Sequence, residues 1–143
     1  MAVAPVSRDP VFAVGIVGVG NMGGAMAANL LARGWPVRVN DLDAAKTQVL
    51  ASFGAVPSAS GSQLAMNCEA VIVCVVDAAQ TQDVLFGPDG VAAGLRPGGA
   101  VLLCPTIAPA DVERFAARLA ETGLHAIDAP MSGGPARARE GTM

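Results

Sequence analysis

The sequence points to an α/β domain with a doubly wound parallel sheet, on three grounds. Short uncharged runs rich in valine alternate along the chain with segments of helical period. Glycines punctuate the junctions, among them Gly34, Gly54, Gly98, Gly99 and Gly123. The first run passes into the first helix through Gly18-Val19-Gly20-Asn21-Met22-Gly23, a spacing that turns the backbone tightly and seats a helix close to a strand. Strands separated by single helices imply βαβ units, parallel pairing and right-handed crossovers. Strand order itself is not readable, but the glycine spacing favours the Rossmann-type arrangement.

Each element has its own local warrant. Residues 1–10, with Pro5, Pro10 and the adjacent charges Arg8 and Asp9, form a flexible leader, and the domain proper takes residues 11–143. Residues 11–17 predict the first strand. Residues 22–33 predict a helix, with Met22, Met26, Asn29, Leu30 and Arg33 at helical spacing and Gly34 as its stop. A second strand follows at 37–40, then a helix at 44–53 closed by Gly54, and a short helix at 62–67. Residues 70–76 make the strongest strand, seven uncharged positions with four valines, as suits a strand covered on both faces. A helix at 78–85 takes Asp77 as its N-cap. The turn Arg96-Pro97-Gly98-Gly99 leads to a strand at 100–104. Residues 109–122 form a helix with proline in its first turn and Val112, Phe115, Ala116, Leu119 and Ala120 on one face. After Gly123 comes a strand at 124–128.

Composition narrows the function classes. The 143 residues suffice for one domain, and 52% hydrophobic against 15% charged residues supply a packed core. A net charge of −3 and scattered arginines, with Arg114 and Arg118 at helical spacing and Arg137 and Arg139 as a short loop pair, argue against nucleic acid. Cys68, Cys74 and Cys104 lack metal-ligand spacing, and Cys74 and Cys104, within apolar runs, read as small buried hydrophobes of a reducing compartment. The apolar run behind Arg8 imitates a signal peptide, but Asp9 stands beside that arginine and glycines interrupt the run. No stretch reaches the length of a membrane span. The expected location is the cytoplasm.

The glycine loop carries the chemistry. Gly18 permits the turn out of the strand, Gly20 lets backbone approach a pyrophosphate, and Gly23 lets the helix lie close to the strand. The helix then opens with unpaired N–H groups and the positive end of its dipole toward the phosphates. Asp41, 23 positions after Gly18 at the end of the second strand, suits the acid that accepts hydrogen bonds from a ribose. Asp41 or Asp43 also suits the cap of the following helix, and Asp43 is the better placed for it. A carboxylate with no arginine behind it favours NAD over NADP.

From Gly18 onward, the string GVGNMGGAMAANLLARG resembles the opening of the β-hydroxyacid dehydrogenases, a family that includes 3-hydroxyisobutyrate dehydrogenase-like enzymes. Pro105-Thr106-Ile107-Ala108-Pro109 resembles that family's Ser-Thr-Ile-x-Pro segment. Asp128-Ala129-Pro130-Met131-Ser132-Gly133-Gly134 resembles its substrate loop, and residues 75–87 look most like the L-threonate dehydrogenase branch. The resemblance implies that Gly18, Gly20, Asn21, Met22 and Gly23 hold the pyrophosphate and Asp41 the adenosine ribose. Val76 and Asp77 would lie beside the cofactor, and Thr106 would meet its nicotinamide half. Ser132, Gly133 and Gly134 would receive the carboxylate of a small hydroxy acid, Ser132 being the catalytic-loop residue. Pro105, Met131 and Asp77 depart from the family pattern. His125, inside a strand, receives no role from it.

The same resemblance implies a catalytic lysine downstream of the Ser-Gly-Gly loop, in an all-helical second domain. The single lysine of these residues, Lys46, falls on the adenosine side and reads as a solvated charge. The expectation is therefore the cofactor-binding part of an NAD-dependent hydroxyacid dehydrogenase that forms a homo-oligomer when whole. The alternative is a stand-alone dinucleotide-binding module without turnover.

Overall fold

The computed structural model describes residues 12–143; the leader expected at 1–10 and Val11 lie outside the described residues. Six strands, β1 (Val14–Val17), β2 (Val37–Asn40), β3 (Val56–Pro57), β4 (Ala70–Val73), β5 (Ala100–Leu103) and β6 (His125–Asp128), form one sheet in the order β3-β2-β1-β4-β5-β6. Every neighbouring pair is parallel. The chain runs outward from β1 to β3, then crosses back to begin β4 on the other side of β1. Order therefore reverses between β1 and β4, and the carboxyl ends of those two strands flank the crevice where open α/β sheets take their ligands. This is the doubly wound, Rossmann-type arrangement.

Alternation along the strands feeds two cores. On one face, α3 (Gly61–Met66), α4 (Ala78–Phe86), α5 (Val91–Gly94) and α6 (Pro109–Glu121) cover Val17, Val71, Val73, Val101 and Leu103, with Phe115 and Leu119 of α6 fully buried among them. On the other, α1 (Asn21–Ala32), α2 (Ala44–Ala51) and α7 (Gly134–Glu140) cover Ile16, Val37 and Val39 through Met26, Leu50 and Ala138. Ile16 and Val17 are consecutive and enter opposite cores, as a period of two requires. Burial of both sheet faces accounts for the absence of charge at residues 70–73.

Three elements depart from sequence expectation. β3 is two residues long, and α5 is a single turn. Both fall below the length at which periodicity can show. Residues 134–140 form α7, so Arg137 and Arg139 stand on a helix instead of in the expected loop. Its flanking Gly133, with φ +94°, and Gly141, with φ +74°, made the segment look like a turn. Pro135 sits in the first turn, where its missing N–H costs nothing. The strand at 70–76 is also shorter than its apolar run. Paired strands end at Val17, Val73 and Leu103, and Cys74, Val75 and Val76 continue as loop.

Candidate functional site

The three glycines of the first turn meet three different surroundings. Gly18 has φ +89°, and a Cβ there would stand 2.3 Å from the Cys74 carbonyl oxygen. A Cβ on Gly23 would lie 1.9 Å from the Gly18 carbonyl oxygen, so the first turn of α1 rests directly on the strand exit. A Cβ on Gly20 would meet nothing within 4 Å. Two glycines are thus demanded by the protein itself, and the third faces open space. No side chain caps the amino end of α1, and no acidic residue occupies its first turn. Its leading N–H groups, with the positive end of the helix dipole behind them, open onto the crevice.

Asp41 follows β2 and closes this turn. Its Oδ2 accepts a hydrogen bond from the Val19 N–H at 2.8 Å, and its Oδ1 accepts one from the Asp43 N–H at 2.8 Å. The carboxylate ties the glycine turn to the end of the second strand, and each oxygen keeps a lone pair for a further donor. Asp43 caps α2 by accepting from the Ala45 N–H at 3.0 Å. The two acids therefore divide the roles of brace and cap. Asn40 donates through Nδ2 to the Ser58 carbonyl at 2.9 Å, which fixes the loop beyond β3 at the same end of the sheet.

These groups line a cleft of about 740 Å³ that holds Gly18, Gly20 and Asp41, with Leu42, Val76 and Gln80 at its border. Val76 is exposed there on the loop after β4. Asp77 spends its carboxylate on α4, accepting from the Gln80 N–H at 2.8 Å, while Gln80 Oε1 accepts from the Val76 N–H at 3.0 Å. This pair varies the capping box: Asp replaces Ser/Thr, and Gln80 reaches back to the N–H of the residue before the cap instead of the cap's own. It holds the Val76 loop in place, and Gln80 rather than Asp77 borders the cleft. Gln80 was missed as a site residue, although the Asp-x-x-Gln spacing was a readable signal. Lys46, on α2, is exposed and borders both this cleft and a second cavity of about 770 Å³ between α1, α2 and α7.

Thr106 stands exposed on the loop after β5; the N-cap of α6 is Ala108, two residues later, with no side-chain bond. Ser132 is exposed on the loop between β6 and α7. Gly133 and Gly134 both have positive φ, and a Cβ on Gly134 would meet open space. Helix α7 then packs along α1, with Ala138 buried and the Arg33 guanidinium donating to the Glu140 carbonyl at 3.3 Å. His125 opens the edge strand β6, exposed to solvent.

The cysteines differ from simple buried hydrophobes. Burial pushes the Cys68 thiol up to about 11, against a smaller opposing pull from Arg38. Cys104 is buried, but Cys74 is only half-buried and lines the cleft. Cys74 and Cys104 are joined by a side-chain hydrogen bond that drives Cys74 up and Cys104 down, while burial pushes both upward. Among the described residues no group of His, Cys, Asp and Glu could hold a metal ion, and no helix is long and apolar enough to cross a membrane.

Residues 13–143 match the family model described as the NAD binding domain of 6-phosphogluconate dehydrogenase. An L-threonate dehydrogenase of Cupriavidus necator is 44% identical over 130 residues, covering 91% of this chain and 44% of the relative. The crystal structure of a 3-hydroxyisobutyrate dehydrogenase from Salmonella typhimurium superposes with a TM-score of 0.86 at 40% identity, over 91% of this chain and 45% of that one. A structure of Psf3 in complex with NADP+ and 2-OPP gives 0.85 at 35% identity, over 90% and 45%. The chain thus spans about 44% of the length of the curated relatives it matches.

Proposed function

Because the chain belongs to the family of 6-phosphogluconate dehydrogenase-type NAD-binding domains, we propose that it is the cofactor-holding part of an NAD-dependent dehydrogenase of a small hydroxy acid. The observation that carries this is the contrast within the glycine turn. Gly18 and Gly23 are walled in by the protein's own backbone, whereas Gly20 looks onto open space beside uncapped N–H groups. That is the shape of a cradle for a diphosphate. Gly18, Gly20, Asn21, Met22 and Gly23 hold the pyrophosphate in this reading, and the spare lone pairs of Asp41 take the ribose hydroxyls. Val76 and Thr106, in the loops after β4 and β5, border the nicotinamide half in this reading, and Asp77 acts there by capping α4 behind the Val76 loop.

When bound, the nicotinamide accepts a hydride from a CH–OH carbon. The chain's own task is then to orient and to bind. Ser132 offers a hydroxyl and Gly134 offers backbone that faces open space to the substrate carboxylate, with Gly133, beside the Arg137 side chain, completing the loop. Removal of the hydroxyl proton needs a base. Lys46, on α2, borders the cleft at the end we assign to the adenosine, and in this reading the base lies outside these residues. L-Threonate or a relative is the substrate class we infer, and a homo-oligomer in the cytoplasm the setting.

The cofactor is NAD in preference to NADP, because a ribose 2′-phosphate beside the Asp41 carboxylate meets a like charge. Calorimetric titration with NADH and NADPH tests this. The expected result is tighter binding of NADH, with the discrimination reduced in Asp41→Asn. Equal or tighter binding of NADPH overturns the preference.

A further inference from the structure

Cys74 and Cys104 stand at equivalent positions one residue beyond β4 and β5. The register pairs Val73 with Leu103, and the ladder continues through the Cys104 N–H, which donates to the Val73 carbonyl at 3.1 Å. Neighbouring strands lie about 4.8 Å apart, inside the Cα separation of roughly 4.4–6.8 Å that a disulfide spans. Val73 and Leu103 are both buried in the core beneath α6, so the next residue on each strand points to the opposite face. There the two thiols lie close enough to shift each other's ionisation. Cys68 follows α3 in the other core, on the opposite face of the sheet from this pair. Cys74 borders the cleft, which gives a small oxidant a way in.

We propose that Cys74 and Cys104 form a dithiol that closes reversibly to a disulfide, and that closure loosens the glycine turn beside it. With hydrogen peroxide as oxidant, the ionised sulfur of the pair attacks one peroxide oxygen. The O–O bond breaks, and a sulfenic acid and water form. The partner sulfur then attacks the sulfenic sulfur, the S–S bond forms, the S–O bond breaks, and a second water leaves. Two thiols are oxidised and one peroxide is reduced to two waters. Of the two, Cys104 is the sulfur its neighbour pulls toward the thiolate, as the first step needs, while Cys74 is pushed up.

The coupling to the turn is steric. The Cys74 carbonyl is the group that leaves no room at Gly18, and its Cβ lies 3.3 Å from where a Cβ on Gly23 would be. Drawing the sulfurs to a bond of about 2.0 Å shifts Cys74 toward β5 and away from the turn after β1 that rests on it. That this weakens dinucleotide binding rests on the cofactor reading above; the linkage itself does not.

The test treats the reduced chain with hydrogen peroxide, alkylates remaining thiols and maps the non-reduced digest by mass. Two of the three thiols should disappear into a Cys74–Cys104 cross-link that dithiothreitol reverses. Cys68→Ser should behave like the parent, and Cys74→Ser and Cys104→Ser should yield no link. NADH affinity should fall roughly tenfold on oxidation and recover on reduction. A link that includes Cys68 or joins two chains, or irreversible oxidation without a link, overturns the proposal. An oxidised chain that binds NADH as tightly as the reduced one overturns the coupling. A reduced chain that binds no NADH contradicts the cofactor reading instead, and the peptide map still decides the linkage.

Discussion

Three glycines that look alike in sequence do three different jobs, and substitution separates them. Gly18→Ala must place a methyl against the Cys74 carbonyl at a φ of +89°, so thermal unfolding should show a loss of at least about 2 kcal/mol. Gly20→Ala meets nothing and should cost under about 1 kcal/mol, the difference between glycine and alanine at an N-cap. Asp41 shows what spacing could and could not reveal. Its position after the second strand was legible, but its hydrogen bond to Val19, 22 residues earlier, is a tertiary contact that no local pattern encodes. Asp41→Ala should therefore weaken the fold as well as the cofactor, leaving the buried Val19 N–H without its acceptor at a cost of about 1–3 kcal/mol. Cys68 offers a pH test. Burial raises its folded pKa from the ordinary thiol value of 9.0 to about 11, so the folded state holds the proton more tightly. The resulting stability is complete below pH 9 and is lost as pH rises through 11. The chain has no tyrosine and one lysine, so little else titrates in that window apart from the Cys74–Cys104 pair. Denaturant midpoints measured across it should fall less steeply in Cys68→Ala.

Secondary elements were legible in proportion to their length and their need for burial. β4 and α6 announced themselves because one is covered on both faces and the other presents Phe115 and Leu119 on a single stripe. Phe115→Ala should cost about 3–5 kcal/mol, read as a lowered denaturant midpoint. β3, α5 and α7 were silent. Two residues carry no alternation, four make one turn, and the glycines flanking α7 mimic a loop. The Asp77–Gln80 box sits between these extremes, since its spacing was visible and its consequence for the Val76 loop was not. Asp77→Ala should remove about 1 kcal/mol of stability while leaving Val76 less firmly held beside the cleft.

For the molecule as one body, the crevice follows from strand order, and strand order was the feature the sequence could not display. Parallel pairing came from the alternation of strand and helix. The reversal between β1 and β4 depends on which crossover lies on which side, a choice made by packing across the sheet. Only the glycine spacing hinted at it, through its link to the turn at that switch point. The placement of α7 along α1 was equally out of reach because it rests on tertiary contacts, the burial of Ala138 and the Arg33–Glu140 hydrogen bond. The isolated chain should bind NADH and show no oxidation of L-threonate or similar hydroxy acids; measurable turnover would mean that a base is present among these residues. NADH titration of the parent chain beside Gly20→Ala, each with its melting temperature, decides whether the open glycine receives a diphosphate. Saturable binding by the parent and at least a roughly tenfold loss in Gly20→Ala, at nearly unchanged melting temperature, is the expected result. Undiminished binding by that variant would contradict it.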